Sequence, residues 1–295
     1  MRQLLPGILF AMLWASASVA TKFGLHSGDP LVLATIRFLI GGSVMLGYAY
    51  LRPGRSPWPR GAEWRHLLVF SVLNTSLFLS AFVLAMREVS AGIGSLSTAT
   101  NPLFITFFSA VLLKRPLRWY EAVGLVLGLA GVGLATYPLL ERSYATVNGL
   151  VILLAGMVSV SLATVYYARV PWRLPNIAIN GWQVMFGGLV MVPVTLLWGD
   201  LAATRFNAEF WGAVLWLVFP VSVAALQLWF YLVRQDAVRA SLWLFLCPLF
   251  GFLYAYVLMG EPITGLTYLG TALVLGGLYL AQRDKFSPAR KKNVA

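Results

Sequence analysis

The sequence predicts an all-α integral membrane protein, ten transmembrane helices in two inverted five-helix repeats, and three observations carry that expectation. Of its 295 residues, 59% are apolar and 11% charged, against roughly 45 to 50% and about 25% in an ordinary soluble domain. The apolar residues gather into ten runs that approach or exceed the roughly 20 residues a bilayer crossing needs. The second half of the chain also repeats the first. Ten spans would use about 200 residues and leave about 95 for tails and connections, so no separate soluble domain fits.

Bounded by proline, glycine or charge, the first five spans are expected at 5–25, 30–51, 66–86, 92–113 and 119–137. The first runs from behind Arg2 to Lys22, and the second opens at Pro30 and stops before Arg52. The third lies between Arg65 and Arg87, the fourth ends at Lys114, and the fifth starts behind Arg118. The second set is expected at 146–170, 177–197, 211–233, 239–258 and 264–282, closed by Arg169, Trp198, Arg234, Gly260 and Arg283. These runs are continuously apolar rather than alternating, which excludes barrel strands. The small residues Ala15 to Ala20 behind Arg2 imitate a cleavable signal. Cutting there would leave nine spans and destroy the symmetry, so the first run is expected to stay.

The basic residues fix the direction. With the N-terminus cytoplasmic, the inner segments hold Arg2, Arg52, Arg55, Arg60, Arg65, Lys114, Arg115, Arg118, Arg169, Arg173, Arg234, Arg239, Arg283, Lys285, Arg290, Lys291 and Lys292. The outer segments hold Lys22, Arg87, Arg142 and Arg205. A missed span would reverse every later loop and scramble this asymmetry, so the pattern supports ten spans with both termini cytoplasmic in a prokaryotic inner membrane. The net charge of +12 then faces lipid headgroups, and nucleic acid is not an expected partner.

Residues 91–134 align with 237–280, and prolines and glycines match in register: Pro102 with Pro248, Pro116 with Pro262, Gly124 with Gly270, Gly131 with Gly277. The domains expected are a first repeat over 1–137, a second over 146–282 and a basic tail over 283–295. Five helices per repeat is odd, so the second repeat enters the membrane upside down. Inverted repeats place a solute site near the bilayer midplane, between halves that open alternately to each side. Pro102 and Pro248, each about ten residues into its span, are candidate hinges.

Several segments carry a family likeness. Leu13-Trp14-Ala15-Ser16 continuing to Lys22, Arg37-Phe38-Leu39, Val89-Ser90-Ala91-Gly92 before Asn101-Pro102-Leu103, and Gly260-Glu261-Pro262 before a glycine-rich last helix resemble the drug/metabolite transporter superfamily, EamA branch. The resemblance covers nearly the whole chain and implies a ten-helix inner-membrane carrier, often an exporter of amino acids and other small metabolites. Where that family usually has glutamate after the fourth span, this chain has Arg115.

All ten acids fall at span ends or in loops, so the buried carboxylate that a proton-coupled exporter of cations would use is missing. Arg37 lies within the second span. It either snorkels outward or pairs with an outer acid such as Glu88 or Glu261, or it offers, with Lys22, a cation to an anionic solute group at the outer mouth. Neutral polar and aromatic residues at depth are the cavity candidates: Ser16, Asn74, Ser97, Asn101 and Gln227 with Trp14, Trp182, Trp229 and Trp243. Such a lining suits an uncharged, aromatic or zwitterionic solute, although helix–helix hydrogen bonding and packing explain any one of them as well.

Gly124 and Gly128 form a small-xxx-small pair suited to packing within the monomer, with dimerisation as the second use. One cysteine, Cys247, and two histidines, His26 and His66, make no metal site, and no phosphate-cradling loop appears. No catalytic residue, cofactor or metal is therefore expected. An integral-membrane enzyme acting on lipid-linked substrates, or a lipid or sugar-phosphate translocator, is the alternative. The expected partners are a small-molecule solute and membrane lipid, with a monomer sufficient.

Overall fold

The computed structural model describes residues 4–52, 56–112, 118–141, 144–235 and 243–281. Among these every regular element is a helix. In chain order they are α1 (Leu4–Ser27), α2 (Pro30–Leu51) and α3, made of Ala62–Ser71, Val72–Leu79 and Ser80–Ala85. Then come α4 (Ala91–Thr98 and Asn101–Leu112), α5 (Trp119–Glu141), α6 (Val147–Arg169) and α7 (Asn176–Trp198). The last three are α8 (Ala208–Trp216, Leu217–Ala225 and Leu226–Gln235), α9 (Cys247–Met259) and α10 (Gly265–Ala281). Eight are long and apolar enough to cross a membrane, and α9 and α10 are shorter apolar helices. The basic tail 283–295, Arg115, Pro116, Ala237 and most of the charged connection after α4 lie outside the described residues.

Local chemistry sets the starts. Asp29 accepts the Leu31 N–H at 2.9 Å ahead of Pro30, Ser90 accepts the Ile93 N–H at 3.2 Å, and Thr146 accepts the Gly149 N–H at 2.9 Å. Each side chain satisfies an otherwise orphaned donor at a helix N-terminus. Gly260, at φ +65°, supplies the left-handed residue that ends α9.

Equivalent helices of the two halves pair antiparallel. α5 meets α10 through glycine: a Cβ on Gly124 would lie 2.5 Å from the Gly277 oxygen, and one on Gly131 would lie 2.5 Å from the Gly270 oxygen. Only hydrogen at these positions lets the backbones touch. This places Gly124 and Gly131 within the monomer's own core; the Cβ position of Gly128 faces Leu103. α2 meets α7 in the same way, Gly42 against Met185 and Leu39 against Gly188, with the Thr35 and Thr195 hydroxyls 2.6 Å apart. Two pairs of equivalent helices, each running in opposite directions, are what an inverted duplication requires.

Candidate functional site

The centre of the bundle departs from regular α-helix in both halves. Val72–Leu79 of α3 and Leu217–Ala225 of α8 are π-helical, and the 146-residue repeat offset carries the first segment onto 218–225. Wide turns of this kind are rare and cluster at functional sites. α4 is broken at Ala99 and Thr100, and a 3₁₀ turn at Trp243–Leu246 precedes α9 at the equivalent place. Pro102 and Pro248 both stand in the first turn of the segment that follows. The expectation of prolines inside continuous helices is corrected here: the helix restarts at each proline, where a missing N–H leaves no helical bond unmade.

Around these segments lies a small pocket, about 40 Å³, lined by Trp14, Ala15, Ala17 and Ser18 of α1, Arg37 of α2, Phe78, Leu79 and Phe82 of α3, Ser95 and Thr98 of α4, and Val221 of α8. That volume holds about three waters, so the pocket must widen to take a metabolite. Its floor is a hydroxyl chain: Ser18 and Ser95 Oγ are 2.9 Å apart, Ser95 Oγ reaches the Ala15 carbonyl at 3.2 Å, and Thr98 Oγ1 donates to the Ser95 carbonyl at 2.7 Å. Arg37 is only 5% exposed. Its Nη2 donates to Ser222 Oγ at 3.4 Å, its Nε has no partner, and no carboxylate lies within ion-pair distance among the described residues.

The acids expected on the outer side are engaged elsewhere. Glu261 accepts the Ala91 N–H at 2.7 Å and the Gly92 N–H at 3.2 Å. Glu209 accepts from Ser27 Oγ at 2.9 Å and meets His26 at 3.2 Å. Glu88 takes hydrogen bonds from Thr146 and Asn148, which hold its carboxyl below the usual carboxylate range. Arg37 is thus buried, pairs with neither Glu88 nor Glu261, and lines this pocket. Lys22, half-buried one turn further along α1, does not share that lining.

Of the other candidates, Trp14 joins Arg37 in the pocket. Ser16 accepts from Trp216 Nε1 at 2.9 Å and faces a separate apolar groove of about 540 Å³ between α1, α8 and α9. Asn74 donates to Gln183 Oε1 at 3.1 Å, a helix–helix bond that Thr75 shares at 2.6 Å. Ser97 Oγ and Asn101 Oδ1 are buried without partners near the break in α4, and Gln227 is exposed. Trp182 donates to the Tyr50 hydroxyl at 2.8 Å in an aromatic cluster with Trp58, Trp64 and Phe186. Trp229 packs 5.1 Å from Phe10, and Trp243 completes that cluster.

Sequence reasoning missed Ser18, Phe78, Phe82, Ser95 and Thr98. Ser18 was within reach, because it follows Trp14 by four residues on one helix face. Phe78 was not, because its direction depends on the π turns. No group of histidine, cysteine or acid that could hold a metal occurs among the described residues.

The profile of the EamA-like transporter family matches this sequence twice, over residues 2–137 and 147–282. An uncharacterized transporter of Archaeoglobus fulgidus is 26% identical over 275 residues, covering 92% of this chain and 94% of its own. Protein PecM of Dickeya dadantii is 27% identical (95% and 92%), and the uncharacterized inner membrane transporter YedA of Escherichia coli is 26% identical (100% and 96%). A protein solved by crystallography shares the fold at TM-score 0.67 with 22% identity, covering 97% of this chain and 98% of its own.

Proposed function

Since the chain belongs to the EamA-like transporter family and is a multi-pass membrane transporter, we propose that it exports small metabolites, such as amino acids or other aromatic or zwitterionic solutes, across a prokaryotic inner membrane by alternating access between its two halves. Both termini lie in the cytoplasm, a monomer suffices, and the repeats 1–137 and 146–282 are the moving bodies.

The observation that carries this reading is the placement of one pocket, apolar except for Arg37 and three hydroxyls, where both halves meet: Trp14, Arg37, Phe78 and Ser95 from the first and Val221 from the second, with Ser222 on Arg37. The breaks before Asn101 and Cys247 and the π-helical segments of α3 and α8 supply compliant backbone beside it, and Pro102 and Pro248 stand at those breaks as hinges. The apolar groove against α1, α8 and α9 has Glu209 as its charged lining residue, which repels a phosphate group. That argues against the lipid or sugar-phosphate translocator.

The test is flux. Purified protein in liposomes, loaded with a labelled mixture of amino acids and aromatic metabolites, is expected to release a subset saturably without ATP. Retention of every solute at the rate of empty liposomes overturns the reading. A flux unaffected by a pH gradient would fit the absence of acids from the pocket.

A further inference from the structure

A guanidinium held in a membrane interior needs a counter-charge or a full set of hydrogen bonds. Arg37 has neither: it is 5% exposed, its Nε has no partner, and its one hydrogen bond is a long contact of 3.4 Å to Ser222. The outer acids that could have answered it, Glu88, Glu209, Glu261 and Asp29, are committed to hydroxyls, amides or helix N-termini. Apart from the Phe38 ring, whose centroid lies 5.8 Å from the guanidinium carbon, the cation is uncompensated, and it lines the pocket. Around it stand the hydroxyls of Ser18, Ser95 and Thr98 and the rings of Trp14, Phe78 and Phe82. No lining residue is an acid, so an ammonium group on the solute would find the repelling charge of Arg37 and no carboxylate.

We propose that Arg37 is the solute's carboxylate-binding residue and that the pocket selects net organic anions with an apolar or aromatic body over zwitterions and cations. This rests on that pocket being the solute site; of the solutes given above it keeps aromatic ones that carry a carboxylate and sets aside the zwitterions. Planar guanidinium offers paired N–H donors that match a carboxylate's two oxygens. The pocket of about 40 Å³ has room for that head group, and the ring would enter as the aromatic walls part.

The discriminating measurement is ligand-induced thermal stabilisation of the purified protein by four probes of similar shape: phenylacetate, phenylacetamide, phenylethylamine and phenylalanine. Phenylacetate is expected to raise the melting temperature in a saturable way, well beyond the other three. Arg37→Gln is expected to weaken its apparent affinity about tenfold or more, with Arg37→Lys keeping part of it. Because Arg37 is an unpaired buried charge, Arg37→Gln should melt no lower than the parent in the absence of ligand. Should it nonetheless fail to fold, Thr98→Asp serves: a carboxylate within the pocket is expected to occupy Arg37 and abolish the phenylacetate shift. The inference is overturned if phenylacetate stabilises no more than the amide, the amine or phenylalanine, or if its shift survives both substitutions. Liposomes separate the two readings. Saturable flux with no anion preference sinks the Arg37 assignment alone, whereas no flux of any solute sinks the carrier reading beneath it.

Discussion

Glu261, in the connection between α9 and α10, closes the start of α4 from the other half of the molecule: its two carboxylate oxygens accept the N–H groups of Ala91 and Gly92 at 2.7 and 3.2 Å. An anion at a helix N-terminus satisfies two orphaned donors and opposes the positive end of the helix dipole. Glu261 is buried, so solvent cannot take its place. Glu261→Ala is expected to lower stability by about 1 to 3 kcal/mol, read as an earlier thermal melt, with Glu261→Gln losing less because one acceptor remains. An unchanged melt for both would show that the cap is dispensable.

Glycine contacts between α5 and α10 make a sharper contrast. A Cβ on Gly131 would meet the Gly270 oxygen at 2.5 Å, whereas one on Gly133, a half-turn away, meets nothing within 4 Å. Gly131→Ala is therefore expected to destabilise by about 1 to 3 kcal/mol through forced separation of the helices. Gly133→Ala is expected to be neutral or to stabilise by about 0.5 to 1 kcal/mol, since alanine favours helix. Parallel melts of the two variants check this.

Gln183 receives both Thr75 and Asn74 through one oxygen, at 2.6 and 3.1 Å, tying the π-helical part of α3 to α7. Gln183→Leu would leave one buried and one half-buried donor unanswered, and a loss of about 1 to 3 kcal/mol is expected. Gln183→Glu keeps the acceptor and should lose less.

Hydrogen bonds from Thr146 and Asn148 hold the Glu88 carboxyl below its ordinary value. A carboxylate whose folded pKa is depressed stabilises the fold above its ordinary unfolded value, near 4.5, and that contribution fades as pH falls through the lower folded value. The difference in melting temperature between the parent and Glu88→Gln is accordingly expected to be largest near neutral pH and to shrink as the pH drops below the carboxylate range. A difference independent of pH would remove charge from the account.

Orientation has its own test. Cys247→Ala leaves the chain without a thiol, because it is the sole cysteine. New cysteines at Arg60 or Arg173 are expected to react with an impermeant reagent from the cytoplasmic side, and cysteines at His26 or Arg205 from the opposite side. Labelling of all four from one side would break the inside-positive assignment.

Much of the frame was legible because lipid removes choices. A run such as Val147–Arg169 can only be a helix where the backbone must satisfy itself, and its ends fall within a residue or two of the charges and turn residues that predicted them. Gly124, Gly131, Gly270 and Gly277 were visible as a repeat in register, though not that each would touch its counterpart's partner across the pseudo-axis. Pro102 and Pro248 were legible as a pair, but only the structure shows that a helix begins again at each.

The pocket was the least legible part. Trp182, Asn74 and Trp229 look no different in sequence from Trp14, yet each is taken up by a neighbouring helix. Ser18, Ser95 and Thr98 carry no periodic signal that separates them from the small residues used for close packing.

What the amino-acid order decided alone is the class of solvent and which segments are helices apolar enough to enter it, because hydrophobic length acts on each segment independently of its neighbours. What tertiary structure decided is which side chains share a space. The π turns of α3 and α8 rotate everything beyond them, and the burial of Arg37 out of ion-pair reach of every described carboxylate is a relation among several helices at once, which no single stretch of sequence contains.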